Sequence, residues 1–525
     1  MVRLRITGSP APNGASDFSL RVITMKEDYR MCPRRVGAIF AMAAAVVFCL
    51  ASACSKKKPT EPVSTYTLTV RIAEGVEGFP SAGSTVYSQG DSVKYGYQIL
   101  PEFSDLAVTL DGLAVAAQGA LVMDKNHELQ ASCGRRILWK FSTPHSVYYA
   151  SAAVGDDGTI YFGTGLYTTD QGWSPGTLYA MNRDGTLKWS RDIGEAVYSP
   201  AIGPEGNIYV MDRTYTVHAF SPGGGVLWTF NHFHYPGFVK RDMGHRTPAI
   251  GNDGKVYIGA DGVYALDAAS GAEVWHVPHR RTPSRECIAS PVIASDGTLY
   301  CVVGQDSLYA VRADGSFKWA FGFDHDYELS FADPTIDADG TVYVPSETYD
   351  TAHLYAVNGD GTLKWKFHVD GDRAVRGSVT IGADGTLYMD TKASADRTAR
   401  LIAVSPSGNK LWHYVIEGRH VTGDDSYSTP SIGADGLIYF GAETGYLYAL
   451  KPDGTLAWKH EVASGVNWSS PAILADGTLL VGGMGYGPNY TGQFCAVAGG
   501  SNGYAASPWP RFRCDRKNSG RFGGL

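Results

Sequence analysis

The chain has 525 residues, a formal net charge of −7 and 18% charged residues. A charge this small for the length, without a basic stripe, gives no electrostatic reason to expect nucleic-acid binding. The 63 glycines, 31 tyrosines and 11 tryptophans predict many short strands joined by tight turns. The length allows several ordinary domains or one large repeat architecture.

The N-terminal segment, residues 1–54, has the pattern of an export signal. Arg34 and Arg35 precede the apolar run 36–50, and small residues follow up to Cys54. A basic region, an apolar run too short for a comfortable membrane span and a small-residue end are typical of a secretory signal. The residues before Met31 are polar and unpatterned, which indicates a start codon placed upstream of the true one.

The end of this segment is compatible with two kinds of cleavage. The residues ASA suit an ordinary signal peptidase that cuts before Cys54, whereas LASAC resembles the lipobox of bacterial lipoproteins, with Ala51 where such boxes prefer Leu. In the second interpretation, which we favour, Cys54 carries a diacyl anchor ahead of the polar tether 55–65. Both interpretations predict an exported protein. The lipoprotein interpretation places it at the outer membrane or cell surface and leaves the periplasmic or extracellular face open.

Residues 66–132 predict a small all-β module. Alternating segments such as YTLTVRI and TVYSQGDSVKYGY are separated by Gly-bearing turns, and no helical periodicity is present. The stretch resembles the divergent bacterial repeat of internalin-type surface proteins. That resemblance implies a spacer or an adhesive stalk.

One unit of sequence, an apolar strand pair around an Asp-Gly type of turn, recurs along residues 133–506. Forms of it include SPAIGPEGNIYV at 199–210 and TPSIGADGLIYFG at 429–441. Gly takes a positive φ freely and Asp tolerates one, so this pair suits a tight hairpin. The units begin at Ser151, Ser199, Thr247, Ser290, Asp333, Ser378, Thr429 and Ser470, and their turns lie at 157–158, 205–206, 253–254, 296–297, 339–340, 384–385, 435–436 and 476–477.

Each unit continues with a third strand such as LYAV, a second glycine turn and a short strand that carries a tryptophan. The spacing of these tryptophans is the length of one four-stranded propeller blade. They are Trp139, Trp189, Trp228, Trp275, Trp319, Trp365, Trp412 and Trp458.

The order of these strands predicts an all-β fold, an eight-bladed β-propeller at 133–506 behind the small β domain. A four-stranded sheet cannot bury both faces alone, but sheets stacked in a closed ring can. Trp139 precedes the first unit, and the unit that begins at Ser470 has no tryptophan strand after it. We therefore expect the strand around Trp139 to complete the last blade and close the ring.

The segment ALDAASGAEVW at 265–275 resembles the tryptophan-docking motif of PQQ-like (quinoprotein-like) propeller repeats. Shorter versions, such as AVRADGSFKW and ALKPDGTLAW, occur in the other units. The resemblance implies that the tryptophans are structural and pack between blades, and it extends to BamB-type propeller lipoproteins. The tail 507–525 resembles a segment that accompanies such repeats, and we expect it to pack across the rim of the ring.

The cysteines allow one disulfide. Five cysteines follow Cys54, so at least one stays free. Cys133 precedes the closing strand and Cys514 lies in the tail, so a bond between them would lock the ring. Cys287 and Cys301 are offset from cross-strand register, and we expect both to be buried thiols.

Catalytic motifs are scarce. PQQ-dependent members of the family use calcium, an aspartate base and usually a vicinal cysteine pair, whereas this chain has no adjacent cysteines. No phosphate loop, nucleophile elbow or zinc helix is present, and the DADG segment at 337–340 lacks further calcium ligands. The sequence predicts a non-enzymatic protein without a cofactor or metal.

Two groups of loop residues are candidates for binding, because the Asp-Gly turns at one end of the ring send the variable connections to the other. A polar group is either a binding face, with His232, His234 and 324–326 as weak metal-ligand candidates, or a set of solvated loops. An aromatic group near the ring closure either binds a ligand or fills the seam. The polar group is His232, His234, Arg246, Arg280, Arg281, Asp324, His325, Asp326, Arg373, Arg376, Arg419 and His420; the aromatic group is Tyr148, Tyr149, Tyr167, Trp173, Trp468, Tyr486 and Tyr490.

These features predict a monomeric, lipid-anchored binding or scaffold protein of the bacterial envelope. Its partner is an envelope protein, as for BamB-type proteins in outer-membrane assembly, or a glycan in surface adhesion. Its only membrane contact is the lipid anchor. The alternative is a PQQ-dependent alcohol or sugar dehydrogenase that uses the central channel.

Overall fold

The computed structural model describes residues 63–523, with gaps at 101–102, 148–149, 166, 169–171, 232–245, 279–288, 304–305, 325–331, 349–350, 370–371, 375–376, 394–398, 417–427, 467 and 486–490. Cys54 lies outside these residues. All regular elements within them are β-strands. No helix in this part of the chain is both long enough and apolar enough to cross a membrane.

A small two-sheet domain comes first. One sheet has the order β3-β1-β8-β5-β6 and the other has the order β2-β4-β7. Side chains of both sheets, such as Leu68, Leu129 and Tyr95, share one apolar core. The strands are β1 (Thr65–Ile72), β2 (Val76–Phe79), β3 (Gly83–Ser88), β4 (Ser92–Ile99), β5 (Phe103–Leu110), β6 (Leu113–Val115), β7 (Gln118–Val122) and β8 (His127–Arg135).

The following residues form eight antiparallel blades of the predicted type. Blade 1 is β10 (Ala153–Val154), β11 (Ile160–Gly163), β14 (Thr177–Met181) and β15 (Leu187–Asp192), with the hairpin β12 (Tyr167–Thr168) and β13 (Gly172–Trp173) between its second and third strands. Blade 2 is β16 (Ala201–Ile202), β17 (Ile208–Met211), β18 (Val217–Phe220) and β19 (Val226–Phe230). Blade 3 is β20 (Ala249–Ile250), β21 (Lys255–Gly259), β22 (Gly262–Asp267) and β23 (Glu273–Pro278), and blade 4 is β24 (Val292–Ile293), β25 (Leu299–Val303), β26 (Ser307–Val311) and β27 (Phe317–Gly322).

Blades 5 to 8 repeat this arrangement. Blade 5 is β28 (Thr335–Ile336), β29 (Val342–Glu347), β30 (Ala352–Val357) and β31 (Leu363–Val369). Blade 6 is β33 (Thr380–Ile381), β34 (Leu387–Ala393), β35 (Ala399–Val404) and β36 (Lys410–Ile416), and a short extra strand, β32 (Asp372–Ala374), pairs with β34. Blade 7 is β37 (Ser431–Ile432), β38 (Ile438–Gly441), β39 (Tyr446–Leu450) and β40 (Leu456–Glu461), and blade 8 is β41 (Ala472–Ile473), β42 (Thr478–Met484), β43 (Gly492–Ala498) and β9 (Ile137–Thr143).

The Asp-Gly turns between the first two strands of the blades form as the sequence predicts. In blade 1, Asp157 Oδ1 accepts the backbone N–H of Thr159 at 2.9 Å, and Gly158 has φ 79°. The carboxylate thus caps the turn while glycine takes the left-handed conformation. The same Asp-to-Thr bond is present at Asp296, Asp339 and Asp384.

The blade tryptophans contact the next blade. Trp275 Nε1 donates to the carbonyl of Ala313 at 3.0 Å, and its ring lies against the turn at Gly315, where a Cβ atom would approach the ring to 2.8 Å. Glycine at this turn is therefore required by both its φ of 85° and the ring beside it. Equivalent bonds join Trp139 to Arg183, Trp189 to Pro222, Trp228 to Ala268, Trp319 to Gly359, Trp365 to Pro406 and Trp412 to Pro452.

The ring is closed in two ways. As predicted, β9 pairs with β43, so the strand that carries Trp139 completes the last blade. In addition, the first residue of most units donates its backbone N–H to the side chain at the same position of the next unit. These bonds run from Ser151 to Ser199, Thr247 to Ser290, Ser290 to Asp333, Asp333 to Ser378, Ser378 to Thr429, Thr429 to Ser470, and from Ser470 back to Ser151.

A buried arginine marks the seam between the small domain and blade 8. At the other junctions, a blade tryptophan packs against the turn between the third and fourth strands of the next blade. Blade 8 has no such turn for Trp458, because its third strand leads into the tail and its fourth strand, β9, comes from earlier in the chain. The Arg136 guanidinium lies 4.0 Å from the centre of the Trp458 ring. It also donates to the carbonyls of Ala498 in the ring and Phe103 in the small domain, both at 3.0 Å. The Arg136 side chain therefore contacts blade 7, blade 8 and the small domain at once.

The tail closes one end of the central axis instead of crossing only the rim. Six inner-strand N–H groups donate to tail carbonyls at 2.7–2.9 Å. Trp509, Arg511 and Arg513 are among the largest fully buried side chains of the protein. The donors are Val154, Ile202, Ile250, Ile293, Ile381 and Ile432, and their acceptors are Arg516, Lys517, Ser519, Gly520, Trp509 and Pro510.

An ion pair fixes this tail in blade 5. Arg513 NH1 lies 3.6 Å from Asp333 Oδ2, and both side chains are almost fully buried. Asp333 occupies the position at which the other units have Ser or Thr. Burial raises the pKa of its carboxyl to about 6, against the opposing effect of Arg513. The one acidic exception in the repeat therefore lies where the tail brings a cation.

The predicted disulfide between Cys133 and Cys514 is wrong, because both thiols are free. Cys133 lies in β8, packs with the core of the small domain and contacts the carbonyl of Glu74 at 3.2 Å. Cys514 packs in an apolar cluster of the ring. The strand β8 therefore holds Cys133 in a different core from the tail. Cys301 is a buried thiol as expected, whereas Cys287 lies outside the described residues.

Candidate binding face

The two ends of the ring differ in composition. We call the end that carries the Asp-Gly turns and the tail the turn face, and the opposite end the loop face. At the loop face lie the connections between second and third strands and the connections from one blade to the next. The sequence predicts both candidate groups on the loop face, and the structure describes only some of their members.

Most of those candidate residues lie outside the described part of the chain. This holds for Tyr148, Tyr149, Tyr486 and Tyr490 of the aromatic group and for His232, His234, Arg280, Arg281, His325, Asp326, Arg376, Arg419 and His420 of the polar group. The backbones of Tyr167 and Trp173 pair across the hairpin β12–β13, and Arg373 lies in β32. Only the backbone is described for these three residues. Trp468 is buried, with 6% of its surface exposed.

Arg246, a member of the polar group, makes hydrogen bonds and cation–π contacts with two tyrosines. It is buried at the loop-face end of the inner strand of blade 3. Its NH1 donates to the hydroxyl of Tyr198 at 3.0 Å and its NH2 donates to that of Tyr215 at 2.5 Å. The guanidinium carbon lies 4.0 Å from the Tyr215 ring centre and 5.5 Å from that of Tyr198. Of the two alternatives for this group, the solvated loop residue does not apply to Arg246, which is buried and joins blades 2 and 3.

The backbone of Tyr215 has an unfavourable conformation. Its φ is 68°, in the left-handed region that costs a residue with a side chain about 1 kcal/mol or more. Blade 7 builds the same turn with Gly445, at φ 84°. In both turns this residue donates its N–H to the carbonyl three positions earlier, Asp212 or Ala442. A tyrosine thus stands where a sister blade uses glycine, and its ring is the part that contacts Arg246.

A carboxylate network holds this turn in place. Asp212 Oδ1 accepts the N–H and hydroxyl of Thr214 and the N–H of Thr216, and its Oδ2 lies 3.0 Å from His218 Nε2. Asp212 is buried, so these contacts compensate for the loss of water around its charge. The network explains how the strained Tyr215 is retained.

Further polar groups cluster at the loop-face ends of other blades. In blade 3, the Tyr264 hydroxyl donates to Asp261 at 2.5 Å, and the His276 ring stacks on Tyr264 with centres 4.1 Å apart. At blades 4 and 5, Lys366 bonds to Asp324 at 2.9 Å, and its Nζ lies 4.6 Å from the Tyr355 ring centre. Among the residues that the structure describes, no group of three His, Cys, Asp or Glu side chains is arranged to hold a metal ion.

Several of these residues are absent from the sequence-based candidates. Tyr198, Tyr215, Asp212, Arg136 and Asp333 are the main ones. Three of them differ from an equivalent residue of another unit: Tyr215 from Gly445 of blade 7, Asp333 from the serine or threonine of the other units, and Tyr198 from small residues such as Ala150 and Ser428. The sequence search instead favoured loops rich in charge and aromatic residues.

Comparison with known proteins agrees with this geometry. Residues 259–483 match the family model described as outer membrane protein assembly factor BamB. Over 59 residues, 11% of the chain, the protein is 39% identical to the uncharacterized protein YxaL of Bacillus subtilis (strain 168), and the match spans 14% of that protein's length.

Two solved structures share the fold. A europium-containing methanol dehydrogenase superposes with a TM-score of 0.52 at 13% identity, over 69% of this chain and 93% of that one. The Dos1 propeller superposes with a TM-score of 0.50 at 12% identity, over 69% and 95% of the two chains. The class of protein is therefore an all-β chain that carries a PQQ-like repeat β-propeller, and the matched stretch is BamB-like.

Proposed function

We propose that this protein is a lipid-anchored binding or scaffold protein of the bacterial envelope that engages an envelope protein or a glycan through its loop face. The observation that carries the proposal is the strained Tyr215 beside Arg246. Left-handed residues with side chains persist where the surrounding structure compensates for them, and they concentrate at functional sites. The description of the matched family supports the envelope role.

The rigidity of the ring supports an interaction platform. The tail fills the axis at the turn face and bonds to the inner strands of six blades. The loop face therefore rests on a scaffold that does not have to rearrange when it binds, which limits the entropy cost of association. Among the described residues, the unit-specific side chains Tyr198, Tyr215 and Arg246 lie at that face.

The first experiment compares two charge reversals on opposite faces. Arg213 pairs with Glu195 at 2.8 Å on the loop face, and Arg183 pairs with Asp476 at 2.6 Å on the turn face. Crosslinked mature protein is captured from its own envelope, and the retained proteins and glycans are identified by mass spectrometry. We expect R213E to lose the partner and R183E to retain it. Equal retention by both, or no partner of the unmodified protein, contradicts the proposal.

A second variant tests the contact between Tyr215 and Arg246 directly. Tyr215→Gly keeps the turn geometry of Gly445 and removes the ring beside Arg246. Relief of the backbone strain returns about 1 kcal/mol, whereas loss of the fully buried ring costs about 3–5 kcal/mol, so we expect the free energy of unfolding to fall by a few kcal/mol, and capture is measured well below the unfolding transition of the variant. Capture of the partner should fall. A variant that binds as the unmodified protein does would show that the contact between Tyr215 and Arg246 has no part in recognition.

The enzymatic alternative is tested on the same purified protein. Addition of pyrroloquinoline quinone with Ca²⁺, and separately with Eu³⁺, should give no dye-linked oxidation of methanol, ethanol or glucose. Turnover above the cofactor-only control would replace the scaffold proposal with a dehydrogenase.

A further inference from the structure

The small domain has an exposed sheet face that contains an aromatic ring. In the sheet β2-β4-β7, side chains alternate, so Val93, Tyr95 and Tyr97 point into the core. The opposite face carries Phe79, Gly96 and Gln118 in one cross-strand row, since Phe79 pairs with Gly96 and Gly96 pairs with Gln118. We call this surface the Phe79 face.

Phe79 lies across the strand beside it. Its exposed fraction is 58%, and two of its ring carbons would be 3.3 Å from a Cβ atom at Gly96. Any side chain at position 96 would therefore push the ring away from the sheet. The contact with the cross-strand glycine holds the ring against the sheet and covers one of its two faces. The other side remains available to a ligand.

The rest of the Phe79 face has no net charge, and apart from Val122, whose exposed fraction is 56%, its side chains are small or polar. Gln118 ends the row, and Gln98 lies on the same face two residues farther along β4; both are exposed, and Ala120 on β7 is small. Glu77 and Lys94 contribute one charge of each sign. An aromatic plane bordered by amides is a surface that offers stacking and hydrogen bonds in both directions.

A pyranose ring has the complementary chemistry. Its axial C–H groups form an apolar face with slight positive charge, which the negative face of an aromatic ring attracts. Its equatorial hydroxyl groups lie in the ring plane, where amide side chains can both donate to them and accept from them. A sulfated or uronic-acid polymer would need a cluster of cations, which the balanced charges of this face do not supply.

We propose that the Phe79 face binds a neutral polysaccharide of equatorially substituted pyranoses, stacked on Phe79 and hydrogen-bonded by Gln118 and Gln98. This site belongs to the small domain and is independent of the loop-face function. It gives that domain a role in attachment to a glycan instead of one as a spacer alone.

Isothermal titration of the full mature chain with cellohexaose and with chitohexaose tests the proposal. We expect at least one of the two to bind, and Phe79→Ala to weaken it by about tenfold or more. Phe79→Trp should bind as tightly as the unmodified protein or more tightly, because it retains the stacking plane. Gln118→Ala should lose about threefold, since it removes one hydrogen-bonding group.

Leu113→Ala is the matched control, because Leu113 is a still more exposed apolar residue on β6 of the other sheet, with an exposed fraction of 73%. It should bind as the unmodified protein does. Thermal unfolding of each variant shows whether the small domain is intact, and Phe79→Trp and Gln118→Ala keep the test decisive if Phe79→Ala unfolds. The proposal is overturned if neither hexasaccharide binds, or if Phe79→Ala and Gln118→Ala both leave the affinity unchanged.

Discussion

At the turn face, successive blades present the same Asp-Gly turn and offer the same inner-strand N–H group to the tail. At the loop face, the corresponding ends of the strands carry different residues in each blade, and Arg246 and the strained Tyr215 have no counterpart in blade 7, where Ser428 and Gly445 stand at the equivalent positions. Repetition at one end stabilises the ring, because six of the eight blades contribute an equivalent bond to the tail. Variation at the other end leaves these bonds to the tail intact, because the loop-face residues do not take part in them.

The comparison also shows how to interpret exceptions within the repeat. Asp333 departs from Ser or Thr on the inner strand and meets Arg513 of the tail. Arg136 covers Trp458 where no glycine turn follows. Both exceptions occur where the repeat meets a part of the chain that is not repeated.

Removal of the tail 507–523 should have the largest effect. The six inner-strand donors lose their acceptors, which costs on the order of 6 kcal/mol at about 1 kcal/mol for each bond, in addition to the lost packing of Trp509. We expect no cooperative thermal transition by circular dichroism. A chain that lacks only 524–525 is the control, and a truncated chain with the full transition would show that the turn face does not depend on the tail.

The buried ion pair should give the next largest effect. Asp333→Ser restores the repeat residue but leaves Arg513 without its partner, which should reduce the free energy of unfolding by about 3–5 kcal/mol. Urea unfolding of this variant, of Arg513→Met and of the double variant forms a double-mutant cycle. We expect the double variant to be more stable than Asp333→Ser. Additive losses would mean that the two side chains act independently.

The pH dependence of the same pair has a defined sign. Burial raises the pKa of Asp333 to about 6, above its usual 3.8, so the folded protein binds this proton more readily than the unfolded chain does. The contribution of Asp333 to stability should therefore increase as the pH falls from about 6 to 4. Urea unfolding of Asp333→Asn over this range should lack that increase; identical pH profiles for the two proteins would contradict it.

Substitution of Arg136 should have a moderate effect, restricted to the seam. Arg136→Ala removes the contact with the Trp458 ring and the two hydrogen bonds to Ala498 and Phe103, about 2–3 kcal/mol in total. Hydrogen exchange should increase in β9 and β43 and stay unchanged in blade 4. Trp275→Phe, which loses one hydrogen bond at an internal junction, is the comparison. Uniform exchange across the ring would show that the seam is not a separate weak point.

The smallest effect concerns the acid dependence of the turn-face aspartates. Burial opposes ionisation of Asp157, but bonds from Thr159 and Lys188 hold its pKa at about 2. A folded pKa below the usual 3.8 stabilises the fold above about pH 4, and this stabilisation is lost as the pH falls to about 2. Asp157→Asn should cost less than about 1 kcal/mol at pH 7, because the pair with Lys188 is exposed. Thermal melts at pH 2–7 should show a smaller acid-induced decrease for this variant, and an unchanged decrease would contradict the assignment.

Much of the fold could be predicted from the sequence because the repeat is local. The Asp-Gly turns, the strand order within a blade and the blade tryptophans depend on residues close together in the chain, such as Asp157 with Thr159. Closure by the Trp139 strand also followed from the order of the units. The disulfide prediction failed because the position of Cys133 depends on the packing of β8 in the small domain, which the spacing of cysteines does not encode.

The sequence by itself determined that the protein is a ring of repeated four-stranded blades, since each blade is specified by its own turns and its own tryptophan. Only the tertiary structure decided which exceptions matter. Asp333 and Arg513 are 180 positions apart in the chain, and Tyr215 becomes significant only when Arg246 of the next blade lies against it. Such contacts depend on how the blades and the tail meet in space, and long-range packing of this kind leaves no periodic signal in the sequence.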